Sequence, residues 1–122
     1  MNRFHAQRRP PDWSAAWVPD GKLEYYLGRL GHPKSADRAL VFVAMLGFSE
    51  PGALRHALLA HARTQPVTIH RVTGHGVTYN AIGPLRGPSG VQVDRMISGW
   101  IVNPGSDAPR NVSAFPDRKR TR

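Results

Sequence analysis

The sequence predicts an α+β domain, with N-terminal helices packed on one face of an antiparallel sheet of about four strands. Apolar residues recur at the helical period of 3.6 as far as Pro66 and at the strand period of 2 beyond it. Glycine- and proline-rich turns (TGHG, PLRGPSG and NPGSDAP) then divide the second half into strand-length pieces. Runs of helix followed by runs of strand put the helices on one side of the sheet. A chain of 122 residues suits a single domain and can bury a core without disulfides or metals. Residues 1–20 read as an arm, 21–116 as the domain and 117–122 as a basic tail.

In the arm, RRPP disfavours helix, and DWSAAWVPD offers one turn with Trp13 and Trp17 on the same face. These tryptophans either pack on the body or anchor a partner. A first helix is expected around Lys22 to Leu30, closed by Gly31 and stopped by Pro33. The second begins at Ser35, a natural N-cap, with Asp37 in a first turn where negative charge suits the helix dipole. Ala39, Phe42, Val43 and Leu46 form its apolar face, and Gly47 ends it. The third is capped by Ser49, has Pro51 in its first turn, and buries Leu54, Leu58 and Ala62 before Pro66.

PVTIHRV alternates as a strand, and VTYNAIG returns across the TGHG turn as its hairpin partner. VQVDRMISGWIV is a long strand with Val91, Val93, Arg95, Ile97 and Gly99 on one side. Met96, Ser98, Trp100 and Val102 lie on the other, with Gly99 a position for a bulge. RNVSAF is a short last strand ending at Pro116.

Charge is the strongest global feature. Seventeen Lys and Arg stand against eight Asp and Glu, a formal net charge of +9. This balance points to a polyanion, most commonly nucleic acid. The last thirteen residues add Arg110, Arg118, Lys119, Arg120 and Arg122 against Asp117. Without cysteine, thiolate zinc sites and redox dithiols are excluded. No stretch of 18 apolar residues suggests a membrane span, and the N-terminal stretch lacks the apolar run of a secretory signal. His56 and His61 stand five apart, about 140° around a helix, and no HExxH, EF-hand, P-loop or G-x-S-x-G pattern occurs. No metal or cofactor is expected, and a cytoplasmic protein is, with delivery to another cell if it is a toxin.

Metal-independent RNA cleavage needs a base for the 2′-OH, an acid for the departing 5′-oxygen and cations for the phosphate. Histidine and arginine suit these tasks. The open sheet face offers His70, His75, Tyr79 and Ser113 as candidate catalytic groups. Arg38, Arg71, Arg95, Arg110, Arg118, Lys119 and Arg120 are the candidate nucleic-acid contacts, and Trp13 and Trp17 the candidate partner contacts. His70 and Arg71 are neighbours on a strand, so both can serve one face only if a bulge intervenes.

KLEYYL, ADRALVFVAMLGF and SGWIVNPGSDAPRNVSAFP, in that order over residues 22–116, resemble an uncharacterised bacterial domain family. Its members look like barnase/RelE-like ribonuclease toxin modules of polymorphic-toxin and toxin–antitoxin settings. The resemblance implies a helix-then-sheet RNA-binding nuclease with an acidic antitoxin or immunity protein as partner. It places functional weight on Arg38 and on Arg110, Ser113 and Phe115, which match the family's arginine, threonine and tyrosine positions. Phe115 departs from that pattern because phenylalanine cannot exchange a proton. A non-catalytic nucleic-acid-binding module and a protein-interaction or phage-associated component are the alternative readings.

Overall fold

The computed structural model describes residues 10–118. Three helices, α1 (Asp20–Tyr26), α2 (Pro33–Ala39) and α3 (Pro51–Thr64), precede four strands. These are β1 (Val67–Thr73), β2 (Gly76–Arg86), β3 (Gln92–Val102) and β4 (Arg110–Pro116), paired antiparallel in chain order. The expected α+β architecture is therefore observed, with the helices against one face of a meander.

The helical half departs from the sequence reading in its boundaries. α1 stops four residues early because Gly28 takes a positive φ of 77° and lies against Ala39. A side chain at position 28 would both strain the backbone and collide with Ala39 Cβ. α2 is capped by His32, whose Nδ1 accepts from the Ser35 amide at 3.4 Å, with Pro33 opening the helix. Ser35 is instead buried, its hydroxyl donating to the Tyr25 carbonyl at 2.7 Å. Leu40–Met45 continues α2 as a π-helical segment, with the Leu46 amide bonded to the Val41 carbonyl. The wider turn shifts the phase, so Val41, Phe42 and Leu46 are buried while Val43 is exposed. In α3, Leu54, Leu58 and Ala62 face the core as expected, joined by His61.

Trp13 and Trp17 do not share a face. Trp13 lies in a 3-10 turn (Trp13–Ala15), with its ring edge-on to Tyr79 and to Trp100, each centroid 5.9 Å away. Trp17 follows in extended backbone that bridges Arg110 in parallel along the outer edge of β4. Its amide donates to Pro109 and its carbonyl accepts from Asn111, both at 2.9 Å. Strand-like alternation then buries Ala16 and Val18 and turns Trp17 outward, 49% exposed.

A buried histidine joins α3 to the sheet. His61 Nε2 lies 3.1 Å from the Gly83 carbonyl, which can only accept, so Nε2 carries the proton. Nδ1 then accepts from the Ser98 hydroxyl at 2.8 Å, and Ser98 Oγ accepts from Trp100 Nε1 at 2.9 Å. Every polar atom of this chain has a partner. Burial holds the imidazole below its ordinary value of 6.5, although backbone groups of Gly83 and Met96 pull the other way. As pH falls, the unfolded chain therefore takes up the proton before the folded one does. The stability contributed by neutral His61 is full above about pH 6.5 and is lost progressively below it. Thermal unfolding of the wild type from about pH 7 to 5 should show this fall. His61→Leu should flatten the curve and, by orphaning Ser98 and Gly83, cost about 1–3 kcal/mol at neutral pH. An unchanged pH profile in the variant would remove His61 as its source.

Candidate nucleic-acid interface

Strand register sorts the residues onto two faces, because directly paired residues project to the same side. Tyr79, Trp100 and Asn111 face the helices, as do Ala81, Ser98 and Ala114 in the next row. The opposite face carries Arg71, Thr78, Ile101 and Arg110 in one row, continued past β4 by Trp17. Neighbouring rows hold Thr68, Asn80, Gly99 and Ser113, then Ile82, Ile97 and Phe115. This uncovered face is polar near its centre, apolar along one row and basic at its margins.

The positive charge concentrates where β4 meets α1 and α2. The Arg38 guanidinium lies over the Phe115 ring, 5.8 Å from its centroid, within range of a cation–π contact. Lys22 Nζ stands 5.4 Å from the Tyr25 ring centroid. Partial burial, and then the nearby Arg110 and Arg38 charges, hold the Lys22 ammonium below its usual 10.5. Three cations thus converge at one edge. Among the described residues none of the three pairs with a carboxylate, whereas Arg29, Arg55 and Arg95 pair with Glu24, Asp20 and Asp117. Partial burial and neighbouring positive charge without a paired acid make this edge a candidate anion site.

A buried hydrogen-bond set fixes the local backbone. The register slips by one residue at Val112, so that Gly99 pairs with Ser113 while Trp100 pairs with Asn111. Asn111 spans this bulge from the helix side, its Nδ2 donating to the Gly99 and Ser113 carbonyls at 3.1 Å each. Its Oδ1 accepts from the Tyr26 hydroxyl at 2.6 Å. Burial raises the Tyr26 phenol well above its ordinary value, which keeps it a donor. On the open face the missing side chain of Gly99 leaves room for Ser113 Oγ, with Asn80 Oδ1 close by.

The residues singled out in the sequence are not all neighbours. Arg38 and Arg110 lie at the β4 edge near Lys22, with Trp17 beside Arg110 and Phe115 beside Arg38, while Ser113 lies in the adjoining row of the open face against Gly99. His70 and Arg71 lie on β1, three strand spacings or about 14 Å from β4. A bulge does fall at His70: Ile69 pairs with Tyr79 and Arg71 with Thr78, leaving His70 as the extra residue. His75 is exposed in the β1–β2 turn, its amide bonded to Thr73 Oγ1 at 3.1 Å. Tyr79 is buried on the helix side against Trp13. Arg95 sets Nε and Nη2 on one Asp117 oxygen, at 3.1 and 2.8 Å. Arg118 is exposed just beyond β4, and Lys119 and Arg120 fall outside the described residues. Lys22 was not among the sequence candidates. Its signal was its place in KLEYYL, the first stretch of the family-like order. Among the described residues no group of three His, Cys, Asp or Glu could hold a metal, and no helix is long and apolar enough to cross a membrane.

A helix-then-sheet domain with a basic strand edge and an uncovered sheet face is the class that fold and site define. The chain belongs to the family described as "Domain of unknown function (DUF6883)", whose model matches residues 9–118. Its fold is similar to that of one chain in a solved "Contact-dependent growth inhibition toxin - immunity protein complex from Klebsiella pneumoniae 342". That match has a TM-score of 0.61 at 17% identity and covers 84% of this chain and 100% of that one, a likeness of fold. No curated protein matches the chain.

Gly99→Ala should leave the fold intact while displacing Ser113 Oγ, the rotatable atom its new methyl would meet. Tyr26→Phe should cost about 1–3 kcal/mol by leaving Asn111 Oδ1 unpaired in the core. Denaturant unfolding of the two variants checks both; a Gly99→Ala loss as large as that of Tyr26→Phe would show that backbone, not hydroxyl, had moved.

Proposed function

We propose that this domain is a toxin-class ribonuclease that cleaves RNA without a metal, in the manner of barnase/RelE-like modules. The observation that carries the reading is the convergence of Lys22, Arg38 and Arg110, unneutralised, on the edge of a sheet. Fold likeness to a chain of a toxin–immunity complex and a net charge of +9 support it. The two arginines would hold the scissile phosphate and stabilise charge as phosphorus becomes five-coordinate. Ser113 Oγ would donate a hydrogen bond to a phosphate oxygen. Lys22, made more acidic by its surroundings, would be the general acid. The RNA 2′-oxygen attacks phosphorus and gives its proton to water. The P–O5′ bond breaks as Lys22 Nζ protonates the leaving oxygen. The ends are a 2′,3′-cyclic phosphate and a 5′-hydroxyl. His70 and His75, at the far edge, would serve binding rather than proton transfer. The expected protein partner is an acidic immunity protein covering the same edge.

The test is an RNA digest in EDTA with end-group analysis. Lys22→Met should lower kcat by about 100-fold or more, the usual worth of a positioned acid, while the His70→Ala, His75→Ala double variant should stay within a few-fold. Because Lys22 must be protonated to act, the rate should fall as pH rises through its lowered pKa, on a limb below the ordinary 10.5. Loss of cleavage in the histidine variant instead would return the chemistry to β1. RNA binding without cleavage between about pH 5 and 9 would select the non-catalytic module, the reading that Phe115 favours.

A further inference from the structure

We propose that the site accepts unpaired RNA, with a base stacked on the exposed indole of Trp17 while the adjoining phosphate sits among Lys22, Arg38 and Arg110. This rests on the ribonuclease reading and names its substrate class. Two backbone hydrogen bonds of 2.9 Å fix residue 17 along β4, so the exposed ring is held by rigid structure. Its neighbours Ala16 and Val18 supply the apolar anchoring of this strap. An outward position that needs no apolar group nevertheless holds the largest one. Its bridge partner is Arg110, which puts the indole and one phosphate-binding cation in the same row of the open face.

On the other side of Arg110 along β4, Phe115 heads the apolar row shared with Ile97 and Ile82. Aromatic and apolar surfaces thus flank a cluster of cations. That alternation suits a single strand, whose phosphates meet cations while its bases lie on side chains. An A-form duplex keeps its base faces stacked inside and offers phosphates and 2′-hydroxyls, which would use the cations and leave the indole idle. Charge complementarity favours a polyanion here: Arg110 lies beside the indole, and Lys22 and Arg38 stand near Arg110, none of the three with a carboxylate partner among the described residues.

Fluorescence reads this directly, since Trp17 is exposed while Trp100 is buried and Trp13 half-buried. A 2′-O-methyl oligonucleotide lacks the attacking hydroxyl and cannot be cleaved by the proposed route, so binding is measured apart from chemistry. Titration with the single strand should quench tryptophan emission, and the same sequence as a duplex should bind more weakly without quenching. Trp17→Ala should lose the quench and weaken single-strand binding about 10-fold, with duplex binding unchanged; Trp17→Tyr should restore most of the affinity. Equal binding of both forms, or unaltered single-strand affinity in Trp17→Ala with its circular dichroism intact, overturns the proposal. In that case RNA cleavage in the digest would still leave the ribonuclease reading standing. Quenching without any cleavage would sink the ribonuclease reading and keep the single-strand site.

Discussion

The hydrogen bond from the Tyr26 hydroxyl to Asn111 ties the two halves of the molecule together beneath the candidate site. Tyr26 belongs to α1, four residues after Lys22; Asn111 belongs to β4, one residue after Arg110. Joining them in the core fixes how far apart the lysine and arginine stand outside it. The same asparagine amide closes the Val112 bulge through the Gly99 and Ser113 carbonyls. That bulge keeps Arg110 and Ser113 on one face despite the residues between them. Two like charges would drift apart on flexible elements, so a rigid buried tether is what lets Lys22 and Arg110 remain neighbours.

Three of the eight acidic residues pair with arginines other than Arg38 and Arg110. Glu24, Asp20 and Asp117 each pair with an arginine outside the cluster, at distances of 3.2, 2.7 and 2.8 Å. Such exposed pairs add little stability. They neutralise Arg29, Arg55 and Arg95, whereas Lys22, Arg38 and Arg110 have no such pair among the described residues.

The layering was legible in the sequence because burial imposes its own period: Leu54, Leu58 and Ala62 on α3, and Met96, Ser98, Trp100 and Val102 on β3, all face the core. Helix boundaries were less so. Nothing in the local pattern announces the π-helical segment, in which tertiary packing of Phe42 and Leu46 overrides a regular turn. Of the site, Arg38, Arg110 and Ser113 were reached through their order in a family-like pattern. Lys22 enters only with the structure, because a lysine on a short helix looks like a solvated residue until its neighbours in space are known. The hairpin histidines drew attention for their chemistry, yet they lie at the opposite edge of the sheet from the cation cluster. His61 went unnoticed as a structural residue for the complementary reason, since sequence shows neither Ser98 nor Gly83 beside it.

The bulge at His70 has a consequence for how copies of the molecule behave together. Trp17 bridges the start of the β4 edge, whereas the described residues leave the whole outer edge of β1 without a neighbour, with Ile69 and Val72 both more than half exposed. An unpaired apolar strand is a template for adding another strand, and repetition of that step leads to aggregates. The extra residue at position 70 breaks the regular spacing of donors and acceptors midway along β1, and Arg71 adds charge beside it. An incoming strand in regular register would match the ladder on one side of His70 or the other, which shortens the segment available for pairing. A bulge and a charge on an edge strand are among the devices that oppose edge-to-edge pairing of sheets.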